Sequence, residues 1–299
     1  PTEDGLQALQ DGWRSTALLW EQLAPFRLGR AFVAYSHIAN ETPPNVDFIE
    51  ALIAEATPID AAYIDTFGSN MVGLRTLEYL IFDSGAPGAG LLERFTAGQP
   101  GEQRRNYVVA VTDMLRQDAA TLLEMWSPDG QNYLRTFIVS DNPTSVRQST
   151  SLLVNEMLYS LENVVQMSLF EPLGSGTGVV RPVAVPAPYS GLSLPLIRSY
   201  FESLRAIYTG SYGDVDGLGL DDYLASLDAA ALAETIDSQI DAVLAAIDAV
   251  ETPMATALEQ TPEQITAIYD QARALVTLMK LDLISRLGLT ITFSDSDGD

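Results

Sequence analysis

Residues 232–250 read LAETIDSQIDAVLAAIDAV. Leu232, Ile236, Ile240, Val243, Leu244, Ile247 and Val250 recur every three or four positions, while Glu234, Asp237, Asp241 and Asp248 fall between them. At 3.6 residues per turn that spacing gathers the apolar side chains into one stripe and leaves the acids on the other faces. Outward from this stretch the same period returns. Thr261-Pro262-Glu263-Gln264 has the form of a capping-box start with proline at the first helical position. From it Ile265, Ile268, Ala272, Leu275, Leu278 and Leu281 carry a second stripe to a stop at Gly288. Asn142-Pro143 and Thr57-Pro58 resemble two further starts, and Ser145 to Phe170 reads as another long amphipathic helix. Strand signals are confined to Gly178-Val179-Val180 with Val183-Ala184-Val185, and to Leu289-Thr290-Ile291-Thr292-Phe293. The sequence predicts an all-α protein.

One segment breaks the helical pattern. Between Glu171 and Ser190 stand Pro172, Pro182, Pro186 and Pro188 with Gly174, Gly176 and Gly178, through which no helix can run. Flanking it are two echoes. Trp20-Glu21-x-Leu23-x-x-Phe26-x-x-Gly29 returns as Phe201-Glu202-x-Leu204-x-x-Ile207-x-x-Gly210, and Gly73-Leu74-x-x-x-Glu78-Tyr79-Leu80 as Gly217-Leu218-x-x-x-Asp222-Tyr223-Leu224. Two echoes in one order predict an internal duplication. The expected layout is an N-terminal helical bundle over 1–172, a linker over 173–190 and a related bundle over 191–299.

Charge narrows the partners. The chain holds 40 acidic and 16 basic residues for a formal net charge of −24, with Lys280 its sole lysine. Ala206 to Ala272 contains 13 Asp or Glu and no Lys or Arg. Such a surface repels phosphate backbones and anionic membranes, so nucleic acid is not an expected partner. Its bland reading is a solvated acidic face, and its functional reading a surface that attracts cations. There is no cysteine, which removes disulfides, thiolate metal sites and a cysteine nucleophile. No apolar run is long enough to span a bilayer. The opening Pro1-Thr2-Glu3-Asp4 reads as the start of a processed product, from which a signal peptide or lipid anchor has been removed.

The chemistry-bearing residues are few. Gly73-Leu74-Arg75-Thr76-Leu77-Glu78 places Arg75 and Glu78 one helical turn apart, the spacing of an intrahelical ion pair. His37, the only histidine, stands four before Glu41, but Asn40, Thr42 and two prolines end that helix, so a capping or surface role is expected. Asp295-Ser296-Asp297-Gly298-Asp299 resembles the opening of a calcium loop without its closing glutamate and reads as an acidic tail. Gly174 to Gly178 lacks the lysine of a phosphate loop. No catalytic residue, metal ligand or cofactor is expected from these motifs.

The run from Gly73 to Phe82 resembles the signature helix of the imelysin peptidase family, Gly-x-His-x-x-Glu followed by apolar residues. Gly73 and Glu78 match that pattern, and Arg75 fills the histidine position. Pro188-Tyr189-Ser190-Gly191-Leu192-Ser193-Leu194, Trp20 to Gly29 and the ending Leu287-Gly288-Leu289-Thr290-Ile291-Thr292-Phe293 are also similar to family segments. The resemblance implies an extracytoplasmic bacterial protein, periplasmic or at the cell surface, of two helical bundles. It relates the chain to metallopeptidases and to iron-regulated proteins. Carried over, the site is Gly73, Arg75, Glu78 and Ser190, with Ala187 and Pro188 where relatives show an earlier serine. A guanidinium stays protonated and offers no lone pair to a metal. The expectation is therefore a non-catalytic binding protein linked to iron or metal acquisition, whose partner is a small ligand or metal species. The alternatives are a divergent metallopeptidase working through Glu78 and an acidic module that holds a basic protein.

Overall fold

The structure, a computed structural model, describes residues 1–28, 37–38, 42–82, 89–138 and 143–292. Among them lie α1 (Glu3–Leu23), α2 (Val46–Ala54), α3 (Ala61–Ile64), α4 (Gly73–Phe82), α5 (Ala89–Thr96), α6 (Gly98–Trp126) and α7 (Tyr133–Ile138). After them come α8 (Pro143–Asn163), α9 (Glu171–Leu173), α10 (Ser193–Thr209), α11 (Leu220–Ser226), α12 (Ala230–Asp248), α13 (Met254–Gln260), α14 (Pro262–Thr277) and α15 (Ile284–Leu287). Two π-helical runs, Val164–Phe170 and Leu278–Leu283, join α8 to α9 and α14 to α15 without a break. The strands described are two residues each, β1 (Ser211–Tyr212) and β2 (Val215–Asp216), paired antiparallel. The protein is all-α, and no described helix is long and apolar enough to cross a membrane.

Two compact units emerge. The first is Pro1–Trp20 with Gly29–Thr136, the second Glu21–Leu28 with Phe137–Asp299. The linker expected over 173–190 thus falls inside the second unit, and the chain divides before Phe137 instead. The physical reason lies in its side chains. Proline and glycine end helices, but Val185 and Ala187 are buried at 0% and 1% exposure, and Val185 belongs to the core of the second unit. The turn Pro182–Ala184 packs on α13. A helix-breaking composition stops a helix without exposing the chain.

In the first unit the 29-residue α6 is the spine, with α2, α3, α4 and α5 packed along it. Ile49, Leu52, Ile53, Ile64, Leu77, Leu80, Ile81, Tyr107 and Val111 form its interior. In the second unit the predicted stripes face each other. Ile236, Ile240, Val243, Leu244 and Ile247 of α12 are buried, as are Ile265, Ile268, Ala272 and Leu275 of α14. Each such side chain contributes about 1.5–3 kcal/mol by leaving water.

Two local expectations shift. Leu281, placed on the second stripe, is 62% exposed, while Met279 and Leu283 are buried. The π-run carries one residue more per turn than an α-helix, which rotates Leu281 outward. Thr57-Pro58 does not open a helix. Asp60 does, its carboxylate accepting from Tyr63 N at 2.8 Å. Neither predicted strand pairs among the described residues, and Phe293 lies outside them. Residues 290–292 are held instead by Asn155 of α8, which donates to Thr290 O at 3.0 Å and accepts from Thr292 N at 2.8 Å. The second echo also takes a different form from the first. Glu78 is buried within a ten-residue helix, whereas Asp222 caps the first turn of α11 by accepting from Gly219 N at 3.0 Å.

Candidate functional site

Helix α4 begins at a constrained glycine. Gly73 has φ +84°, and a Cβ there would lie 2.7 Å from the carbonyl oxygen of His37 and 3.0 Å from that of Ile38. The short described run 37–38 passes so close that only a hydrogen fits. From this start nearly every residue of α4 is buried, with Arg75 half-buried. The helix is fixed by polar contacts on several sides. Trp13 Nε1 donates to Leu74 O at 2.8 Å, Gln10 Nε2 to Ile81 O at 2.7 Å, and Tyr107 Oη to Met71 O at 2.9 Å just before the helix. A side chain on α4 is therefore presented from a rigid element.

Glu78 has 0% exposure. Both Glu78 and Arg75 have polar or electrostatic partners. A carboxylate removed from water needs such compensation to stay ionised, and a guanidinium one turn away supplies charge of the right sign. The metal-ligand pair that histidine would complete at position 75 is absent from this helix, because arginine offers no acceptor. Ser190 belongs to the second unit. It is half-buried and its Oγ accepts from Leu192 N at 3.4 Å, in a loop also pinned by Ala187 N donating to Ser193 Oγ at 3.0 Å.

The next residue on α4 enters a network that the sequence gave no reason to single out. Tyr79 Oη donates to Glu50 Oε1 at 2.6 Å, and Arg94 Nη2 lies 2.9 Å from the same oxygen. Arg104, 1% exposed, also donates to it. Burial pushes the Glu50 carboxyl up, but the Tyr79 hydrogen bond and the charges of Arg104 and Arg94 hold it below the usual carboxylate range. Burial and the Glu50 contacts raise the Tyr79 phenol. Helices α2, α4, α5 and α6 are tied at this one carboxylate. No local spacing could reveal it, since the four residues come from four elements.

His37 does meet an acid, though one far along the chain. Its Nδ1 lies 3.7 Å from Asp118 Oδ1, and Glu41, its sequence neighbour, is outside the described residues. The Asp295–Asp299 tail is also outside them. Among the described residues no group of three His, Cys, Asp or Glu side chains is placed to hold a metal.

Comparison with known proteins matches residues 1–281 to the imelysin family. No curated protein gives a match. Among solved structures, one similar fold is a protein from Parabacteroides distasonis assigned as an iron-regulated protein A precursor. Its TM-score is 0.76 at 20% identity, covering 96% of this chain and 84% of that one. Another is an imelysin-like protein from Psychrobacter arcticum, with a TM-score of 0.65 at 20% identity, covering 98% of this chain and 85% of the other. At that identity the two structures speak for the fold alone.

Proposed function

The chain belongs to the imelysin family, and from that premise we propose that it is a non-catalytic, extracytoplasmic binding protein with a role in iron or metal acquisition. The observation that carries this reading is Arg75. On a helix held from several sides, a permanently charged guanidinium occupies the position where relatives carry an imidazole, one turn from the fully buried Glu78. That charge favours ionised Glu78 and repels a divalent cation from the same turn. What is left is a site suited to a polar or anionic ligand, or to a metal already enclosed in an anionic complex. The iron-regulated description of the Parabacteroides distasonis protein supports the physiological setting. A divergent peptidase would need Glu78 as general base, and a base at 0% exposure has no water to activate.

The test is metal analysis and calorimetry on the purified protein with zinc and ferric salts, beside peptidase assays with and without zinc. Negligible binding of the free ions by the unmodified protein, a gain on Arg75→His, and no cleavage are expected. Tight zinc binding by the unmodified chain that Glu78→Gln abolishes, or zinc-dependent cleavage, would overturn the proposal.

A further inference from the structure

Within the first unit, α3 and α6 border a cleft of about 460 Å³. Its polar lining among the described residues is His37, Asp65, Gln117 and Asp118, and Ala61 and Met114 supply apolar wall. That volume lies in the range of small-molecule sites, and the pattern of a few convergent polar groups on an apolar wall is theirs too.

The charges in the cleft are in conflict. Burial raises the Asp118 carboxyl above its ordinary range, and the negative charge of Asp65 raises it further, against the opposing pull of His37. Two carboxylates facing one space repel, and a cation between them would remove that repulsion. The lining discriminates between kinds of cation. No three side chains of ligating type are gathered closely enough for a metal ion among the described residues. Carboxylates with an amide oxygen can accept the three hydrogens of an ammonium group. The Ala61 and Met114 surface can cover a methylene stem, which a hydrated metal ion would leave dry and unused. The net charge of −24 raises the concentration of any cation near the surface but chooses no place for it, whereas the cleft does.

We infer that this cleft is a binding site for a small aliphatic ammonium compound, with the nitrogen on Asp65 and Asp118 and the alkyl stem on Ala61 and Met114. The inference goes beyond the role proposed for Arg75 and Glu78, and uses none of their chemistry.

The experiment is isothermal titration of the whole chain at low salt and neutral pH with pentylamine and 1,5-diaminopentane, and with 1-pentanol as the uncharged control. One molecule of amine should bind per chain and the alcohol should not. Asp118→Asn and Asp65→Asn should each weaken binding by about tenfold. Asp214→Asn changes the net charge equally at an exposed position of the β-turn, and should leave binding unchanged. Ala61→Leu fills the cleft without touching charge and should also block the amine. The absence of binding by either amine would overturn the inference. So would equal weakening by Asp214→Asn, which would mean diffuse attraction to an acidic surface. Saturable zinc binding that depends on Asp118 and displaces the amine would assign the cleft to a metal instead.

Discussion

Tyr79 Oη lies 2.6 Å from Glu50 Oε1, which ties the helix carrying Glu78 to α2 by a hydrogen bond to a charged acceptor. The oxygen that receives it is also the meeting point of Arg94 and Arg104. The position of α4, and with it the presentation of Arg75 and Glu78, depends on a carboxylate on another helix.

Tyr79→Phe removes that bond and leaves the two arginines in place. A hydrogen bond to a charged group contributes about 1.5–3 kcal/mol, and denaturant unfolding should show a loss of that order. The pH dependence follows from the depressed Glu50 carboxyl. Its contribution is present above the unfolded carboxylate range and is lost as pH falls through the lower folded value. With one of the lowering contacts gone, the acid-unfolding midpoint followed by circular dichroism should move to higher pH. An unchanged midpoint would mean that the arginines alone set the Glu50 carboxyl.

Gly73→Ala places a methyl group 2.7 Å from the His37 carbonyl oxygen at a backbone angle of +84°. Strain of this kind costs about 1–3 kcal/mol, before the collision is counted. The melting temperature should fall clearly, whereas alanine at Gly12, where a Cβ meets nothing within 4 Å, should not lower it.

Glu156, in the second unit, has its carboxyl pushed up to about 7 by burial, with Arg27 pulling the other way. An acid whose folded pKa is raised holds its proton in the native state while the unfolded chain has released it. Stability therefore declines as pH rises from the ordinary value near 4.5 to about 7, and is level above that. Glu156→Gln should remove the decline. Expected is a gain of about 1–2 kcal/mol at pH 8, discounted for partial solvent screening, with little change at pH 4. Equal effects at both pH values would show that packing, not ionisation, is what the substitution altered.

Ile268→Ala opens a cavity where α14 meets the core of the second unit, at a side chain of 0% exposure. A loss of about 2–5 kcal/mol is expected from chemical denaturation. Leu281→Ala, on the solvent side of the adjoining π-run, should change stability by less than about 0.5 kcal/mol.

The helices were legible because their signal is periodic and local. The α12 stripe and the Gly288 stop stand as the residues predict, with Gly288 at φ +64° and Leu289 N donating to Ile284 O at 3.0 Å. The division of the chain was not, since Val185 and Ala187 look like linker residues until the pocket that buries them is known. In the candidate site the motif pointed to α4 through Gly73 and Glu78, and the sequence could show no more than that. The convergence of Tyr79, Arg94 and Arg104 on Glu50, and of His37 with Asp118, joins residues up to 81 positions apart. Such contacts exist only once tertiary packing has brought their helices together.

The π-helical runs at Val164–Phe170 and Leu278–Leu283 make chain length itself a heritable variable of this fold. Each run holds a residue that a regular helix would not need, so a one-codon deletion there could be absorbed by reverting to α geometry. The reversion would turn everything downstream by about 100° relative to what precedes it. Lys280 would then leave Glu162, which it now meets at 3.2 Å, and the face bearing Met279 and Leu283 would leave the core. Relatives that differ by single-residue gaps at these two places are therefore expected to carry compensating changes along the helix faces that follow, and not at the gap.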